Sequence, residues 1–283
     1  MRQALEVDDL DASVLAERRP NGLAQVRAGN GFAGMIIRNV FPEATMQEIV
    51  RRLEAGLSRI PRNESDYYPG VVFGRVLPAE RDATLHAYFE EAAIYREESR
   101  RLFDGLQIDF LTRLERILSS MAGGREVRLA RSEDGREYQA FSIRTMMPSG
   151  QIGLHYENEA FDAESMAGLR RICGAGVRPH LLSIYLTLQA PERGGELGLY
   201  SIGEDDPDTP TLKYMPRDDA RTYEHFERTS PHHRLRAGTG DMLLFDAGRY
   251  FHRVVRVEGE RDRWTIGSFI VLSEDDSTFC YFA

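Results

Sequence analysis

Cysteine is almost missing from this 283-residue chain: only Cys173 and Cys280 occur, far apart in sequence. No Cys-x-x-Cys pair exists, so thiolate zinc, iron–sulfur and dithiol redox chemistry are not expected, and both thiols read as buried core groups. Long apolar runs are also absent. Nothing reaches the roughly 18 residues of a membrane-spanning helix. The opening residues, Met1-Arg2-Gln3-Ala4-Leu5-Glu6-Val7-Asp8-Asp9, carry acids where a secretory signal has its apolar core, and a cytoplasmic protein is expected. A concentrated basic face is lacking too. Thirty-six Lys and Arg stand against 45 Asp and Glu, the net charge is −9, and the arginine-rich stretch 96–101 is broken by Glu97 and Glu98. Neither nucleic acid nor an anionic membrane is therefore an expected partner. The sequence has no internal repeat and no low-complexity tract.

What is present fits a globular protein with a full core: 42% hydrophobic and 29% charged residues. A single domain over 1–283 is expected, because β sandwiches and barrels often run to about 200–250 residues. The first half reads mainly helical. Pro42-Glu43-Ala44-Thr45 starts a helix in which Met46, Ile49, Val50, Leu53 and Leu57 recur at helical spacing. Stretches 80–102 and 103–121 look alike, the latter ending at Gly123-Gly124. Residues 30–137 are thus expected to form a mainly helical layer. From residue 138 the pattern changes to short β-like runs near 138–147, 153–157, 181–188, 197–201, 241–245, 252–257 and 265–272. Such runs, separated by Gly, Pro and Asp, predict a jelly-roll core over 138–283. The polar segment at about 204–233 lacks apolar periodicity and reads as a lid or binding loop.

Seven histidines occur. His86 lies in a helical stretch, His180 at a strand start, and His225, His232 and His233 in the polar segment, where a lone His is more often structural than a ligand. His155 and His252 stand out. In Gly153-Leu154-His155-Tyr156-Glu157, residues 155 and 157 share one face of a strand, so an imidazole and a carboxylate converge. His252, on a later strand, supplies a third ligand. Two histidines and one carboxylate on one face of an octahedral iron leave three positions for a chelating co-substrate and O₂. Downstream, Arg263 and Thr265 place a guanidinium and a hydroxyl together, a pair suited to a carboxylate. The alternative for Arg263 is a surface ion pair with Glu258, Glu260 or Asp262. Arg144 is open between binding an anionic group and pairing with a Glu.

The order His-x-acid, distal His and Arg-x-Thr resembles the iron(II)/2-oxoglutarate-dependent oxygenases. So do the phrases Pro191-Glu192-Arg193-Gly194-Gly195-Glu196-Leu197 and Gly240-Asp241-Met242-Leu243-Leu244-Phe245. More narrowly, three segments resemble the stand-alone halogenases of hapalindole-type (welwitindolinone) alkaloid biosynthesis. These are Gly34-Met35-Ile36-Ile37-Arg38-Asn39-Val40-Phe41-Pro42, Glu227-Arg228-Thr229-Ser230-Pro231 and Phe251-His252-Arg253-Val254. The resemblance runs from about residue 30 to the C-terminus. It implies a mainly β fold with flanking helices around a double-stranded β-helix (jelly roll, cupin-like) core. It also implies Fe(II) on His155, Glu157 and His252, and 2-oxoglutarate anchored by Arg263 with help from Thr265.

One departure matters. The halogenases carry Gly or Ala where this chain has Glu157, and the missing carboxylate leaves room there for chloride. A carboxylate at this point implies a hydroxylase that acts on a free-standing small molecule of the amino acid, nucleotide or alkaloid class and produces succinate and CO₂. Halogenation, desaturation or ring formation is the alternative outcome, and a jelly-roll small-molecule binding protein the non-enzymatic one. Tyr156, Asn158 and Phe161 beside the first ligands, and Val72 and Phe73 in the apolar patch 71–73, are the expected substrate contacts, with ordinary packing as their alternative. No carrier-protein docking motif is recognisable, and the sequence is silent on oligomeric state.

Overall fold

The computed structural model describes residues 2–56, 60, 62–65, 68–74, 82–106, 109–157, 170, 172–174, 180–203, 206, 207, 209 and 219–283. In chain order the first half contains β1 (Glu6–Asp11), the short helices α1 (Leu15–Arg18) and α2 (Gly22–Ala28), β2 (Phe32–Arg38) and α3 (Glu43–Glu54). There follow β3 (Arg62–Glu64), β4 (Gly70–Phe73), α4 (Asp82–Leu102), α5 (Phe110–Ser120) and β5 (Glu126–Leu129). The second half holds β6 (Ser142–Met146), β7 (Ile152–His155), β8 (Leu182–Gln189), β9 (Leu197–Gly203) and α6 (Ala220–Thr229). It ends with β10 (His232–Leu235), β11 (Met242–Phe245), β12 (Tyr250–Val254), β13 (Arg263–Leu272) and β14 (Thr278–Phe282).

The strands make two sheets. The large one runs β1-β2-β11-β8-β13-β6-β4-β3, with β14 beside the far half of β13 and β5 beside β14; the small one runs β10-β9-β12-β7. This is the expected double-stranded β-helix with flanking helices. Strand alternation decides what each face of the large sheet does. On β8, Leu182, Ile184, Leu186 and Leu188 join one core with Trp264, Ile266 and Ile270 of β13 and the apolar stripes of α3 and α5. The intervening Ser183, Tyr185, Arg263 and Thr265 line a cavity instead. An interior face that is polar at these positions gives up apolar burial, which a purely structural sheet would keep.

The N-terminal half departs from the expected helical layer. β1, β2, β3 and β4 belong to the large sheet, so the β core is not confined to 138–283. The reason lies in β2, an unbroken apolar run buried between β1 and β11, where burial on both faces removes the alternation that marks a strand. The stretch 103–121 is also interrupted. Helix α5 starts at Phe110 because the Asp109 carboxylate accepts hydrogen bonds from the Leu111 and Thr112 amides. Of the segment 204–233 expected to be a lid or binding loop, residues 204, 205, 208 and 210–218 lie outside the described residues, while its end carries α6 and β10: Asp219 caps α6, and Tyr223 and Phe226, one turn apart, are buried. Among the described residues no helix is long and apolar enough to cross a membrane.

Candidate metal centre

His155 is the last residue of β7 and lies opposite His252 of β12 in the antiparallel register. Their ring centroids are 4.2 Å apart. His155 Nδ1 donates to Gly153 O at 2.8 Å, and His252 Nδ1 donates to Tyr250 O at 3.0 Å. A carbonyl can only accept, so each Nδ1 carries the proton and each Nε2 presents its lone pair to the interior. Glu157 follows β7 by two residues, and its amide donates to Ala247 O at 2.8 Å. Its Oε1 stands 3.8 Å from His155 Nε2 and 3.9 Å from His252 Nε2. Burial pushes this carboxyl up, but the His252 and His155 imidazoles, when protonated, and the Arg144 guanidinium outweigh it and hold the group below the usual carboxylate range. It is an anion at neutral pH.

The turn that carries Ala247 O and Tyr250 O is held by a residue that sequence reasoning missed. Asp246 is fully buried, accepts from Arg249 N at 3.0 Å and Arg249 Nε at 2.9 Å, and has His180 Nε2 at 2.8 Å. Its only sequence signal is its place directly after Gly240-Asp241-Met242-Leu243-Leu244-Phe245. Asp246→Ala leaves the Arg249 amide and Nε without their acceptor. The expected cost is about 2–3 kcal/mol, less than for a fully buried pair because Arg249 keeps a third of its side chain in solvent. Urea unfolding checks this, and a shift below about 0.5 kcal/mol would remove Asp246 from the support of the site.

Arg263 and Thr265 sit on the inner face of β13 and line the same cavity between the sheets as the three ligands. Arg263 is buried, with its guanidinium carbon 5.1 Å from the Tyr185 ring centroid. The surface pairing with Glu258, Glu260 or Asp262 is not seen; Glu258 pairs with Arg193 instead. The glycines of the Gly194-Gly195 phrase have a role here. Gly195 has φ +71°, and a β-carbon there would lie 3.0 Å from Arg263 Cδ and 2.7 Å from Pro191 Cγ, so the turn closes over the arginine stem only without a side chain.

The expected substrate contacts fare less well. Tyr156 is buried on the opposite face of the small sheet, edge-on to Phe251, because a residue between two inward neighbours points outward. Phe73 packs on Trp264 in the helix-covered core and does not reach the cavity. Val72 is half-buried against an apolar group at the cavity wall that includes Tyr68, Met146 and Val254. Asn158 and Phe161 lie outside the described residues. Four of the remaining histidines have ordinary partners: His86 with Glu90, His180 with Asp246, His232 stacked on Tyr200, and His233 donating to Leu5 O. His225 sits near Phe226.

His155, Glu157 and His252 offer donor atoms within 4.8 Å of one another, and among the described residues no other such group of three His, Cys, Asp or Glu forms. Donor atoms gathered this closely can converge on a single ion, with metal–ligand bonds of about 2.0–2.2 Å. Two imidazoles with one carboxylate suit iron(II) and leave coordination positions open. A family model described as the carrier-protein-independent halogenase WelO5 matches residues 5–283. No curated protein sequence matches. An N-substituted L-amino acid dioxygenase from Burkholderia ambifaria AMMD, solved in complex with alpha-KG, is 18% identical with a TM-score of 0.43, over 84% of this chain and 91% of that one. The non-heme alpha-ketoglutarate-dependent epimerase SnoN from nogalamycin biosynthesis is 14% identical with a TM-score of 0.46, over 88% and 82%. A Pseudomonas putida prolyl-4-hydroxylase is 12% identical with a TM-score of 0.39, over 89% and 99%.

Proposed function

The chain belongs to the family of the carrier-protein-independent halogenase WelO5, and from that premise we propose that this member hydroxylates an unactivated C–H bond of a free-standing small molecule. It is a 2-oxoglutarate-dependent non-haem iron enzyme. One observation carries the choice of reaction: the Glu157 carboxylate stands between the two imidazoles, where the family resemblance implies a small residue. Bound iron(II) with 2-oxoglutarate supplies the oxidation, in which O₂ is consumed, 2-oxoglutarate becomes succinate and CO₂, and one oxygen atom enters the C–H bond.

The protein's own groups hold and orient. Gly153 O and Tyr250 O keep the imidazole protons on Nδ1, so both Nε2 atoms stay available as ligands. Glu157 supplies the single negative charge of the ligand set. Arg263, buried beside Tyr185, would bind the distal carboxylate of 2-oxoglutarate, and Thr265 would add a hydroxyl. The walls contributed by Phe245, Leu197 and Val254 keep water from the reacting carbon. The discriminating experiment is the mass of the product formed in chloride-containing buffer: one added oxygen supports hydroxylation, an added chlorine supports halogenation, and loss of two hydrogens supports desaturation or ring formation.

Arg263→Ala removes a charge-assisted contact usually worth on the order of 1.5–3 kcal/mol, so the dissociation constant for 2-oxoglutarate should rise at least tenfold. Anaerobic calorimetry on the iron(II)-loaded protein measures it. An unchanged constant would assign the distal carboxylate to another cation.

A further inference from the structure

Arg144 is a second arginine on the inner face of the large sheet, and nothing in the reaction so far uses it. It lies on β6 directly opposite Thr265 of β13 and Val72 of β4, and it lines the cavity with the three ligands. Its Nε donates to Ser142 Oγ at 3.3 Å, and among the described residues no carboxylate pairs with its guanidinium. Glu157 lines the same cavity. Among the described residues nothing accepts from the four terminal N–H bonds of this half-buried guanidinium, and such a group is costly unless something anionic completes it.

Charge counting indicates what that is. Iron(II), the Glu157 anion, dianionic 2-oxoglutarate and the Arg263 guanidinium sum to zero, with both histidines neutral. Arg144 is then the one charge among the described cavity residues without a counter-ion. Next to it the wall is apolar: Tyr68, Met146, Ile152 and Val254. We infer that Arg144 is a second carboxylate-binding residue of the cavity and that the substrate is a carboxylate with an apolar body. The carboxylate pairs with Arg144, and the body lies along that wall with a C–H bond directed at the ligand set. Arg144 thereby determines specificity, whereas Arg263 serves the co-substrate. A planar fork of N–H donors rejects a neutral amide because its –NH₂ group would meet donors rather than acceptors.

This inference rests on the oxygenase reading, and its test separates the two. The protein loaded anaerobically with iron(II) and saturating 2-oxoglutarate is titrated with 3-phenylpropionate and with 3-phenylpropionamide, in unmodified form and as Arg144→Met and Arg144→Lys. The visible charge-transfer band of the loaded protein reports on the oxygenase reading alone; if it never develops, that reading fails. With the band present, 3-phenylpropionate should bind at least tenfold more tightly than the amide. Arg144→Met should abolish the preference while leaving 2-oxoglutarate affinity within about threefold, and Arg144→Lys, which keeps the charge and controls for folding, should retain part of it. Equal binding of acid and amide, binding of neither, or a preference that survives in Arg144→Met overturns the inference. A tenfold loss of 2-oxoglutarate affinity in Arg144→Met overturns it as well, because the carboxylate at Arg144 is then the co-substrate's own.

Discussion

His252→Ala should bind iron(II) at least 100-fold more weakly than the unmodified protein and should form no detectable succinate from 2-oxoglutarate. Replacing a group that merely supports a ligand already costs about 10–100-fold in metal affinity or activity, so loss of a donor atom is expected to exceed that range. His252 contributes Nε2 to the ligand set, and its ring also packs edge-on to Phe245 at 4.9 Å and against His155 at 4.2 Å. Alanine therefore removes a ligand and opens a void of about one ring in a buried place. His252→Gln separates the two effects, since it fills most of the volume without restoring the imidazole nitrogen. Both variants should lose metal; only the alanine variant should also lose stability, by about 1–3 kcal/mol. Metal content after anaerobic loading and desalting, with circular dichroism as the folding control, decides the matter. Stoichiometric iron in a folded His252→Ala protein would falsify the triad, and the same measurement applies to His155→Ala.

The second large effect concerns Glu157 and the product. With this carboxylate in the ligand set, a halide has no position to take, and its charge meets an anion already in place. In the unmodified enzyme, millimolar chloride or bromide should change neither the product nor the charge-transfer band of the iron(II)/2-oxoglutarate complex. Glu157→Gly frees a position, so the band should become chloride-dependent. Product formation follows a different rule, because transfer depends on where the substrate carbon sits, and misplacement of about 1 Å can cost 10²-fold in rate. Hydroxylation in Glu157→Gly should fall about 100-fold, with weak chlorination or none. Chlorinated product from the unmodified enzyme in yields comparable to the alcohol would restore the halogenase reading for this member of the family.

Much of the centre was legible in the chain because two of its rules are local. The two-residue period of a strand aligned His155 with Glu157 regardless of what lay around them, and Arg263 with Thr265 likewise. Both pairs do face one cavity. The same rule, had it been applied to Tyr156, would have sent that side chain to the other face, where it packs on Phe251. Loss of β2 from the sequence reading has a different origin: a strand buried on both sides has no alternation to detect, and only its neighbours β1 and β11 define it as a strand.

The amino-acid sequence by itself determined the class of fold and the kinds of side chain that the site offers, because these follow from periodicity, from the chemistry of single residues and from the family resemblance. Tertiary structure alone decided which groups meet. The register that sets His252 against His155 depends on the pairing of strands nearly a hundred residues apart, which leaves no trace in local pattern. Whether Arg263 and Arg144 sit at the surface or in the cavity between the sheets depends on which face of the large sheet the helices cover. Burial is what gives those two charges their significance: an arginine in water is satisfied by solvent, whereas one held in a cavity requires an anion.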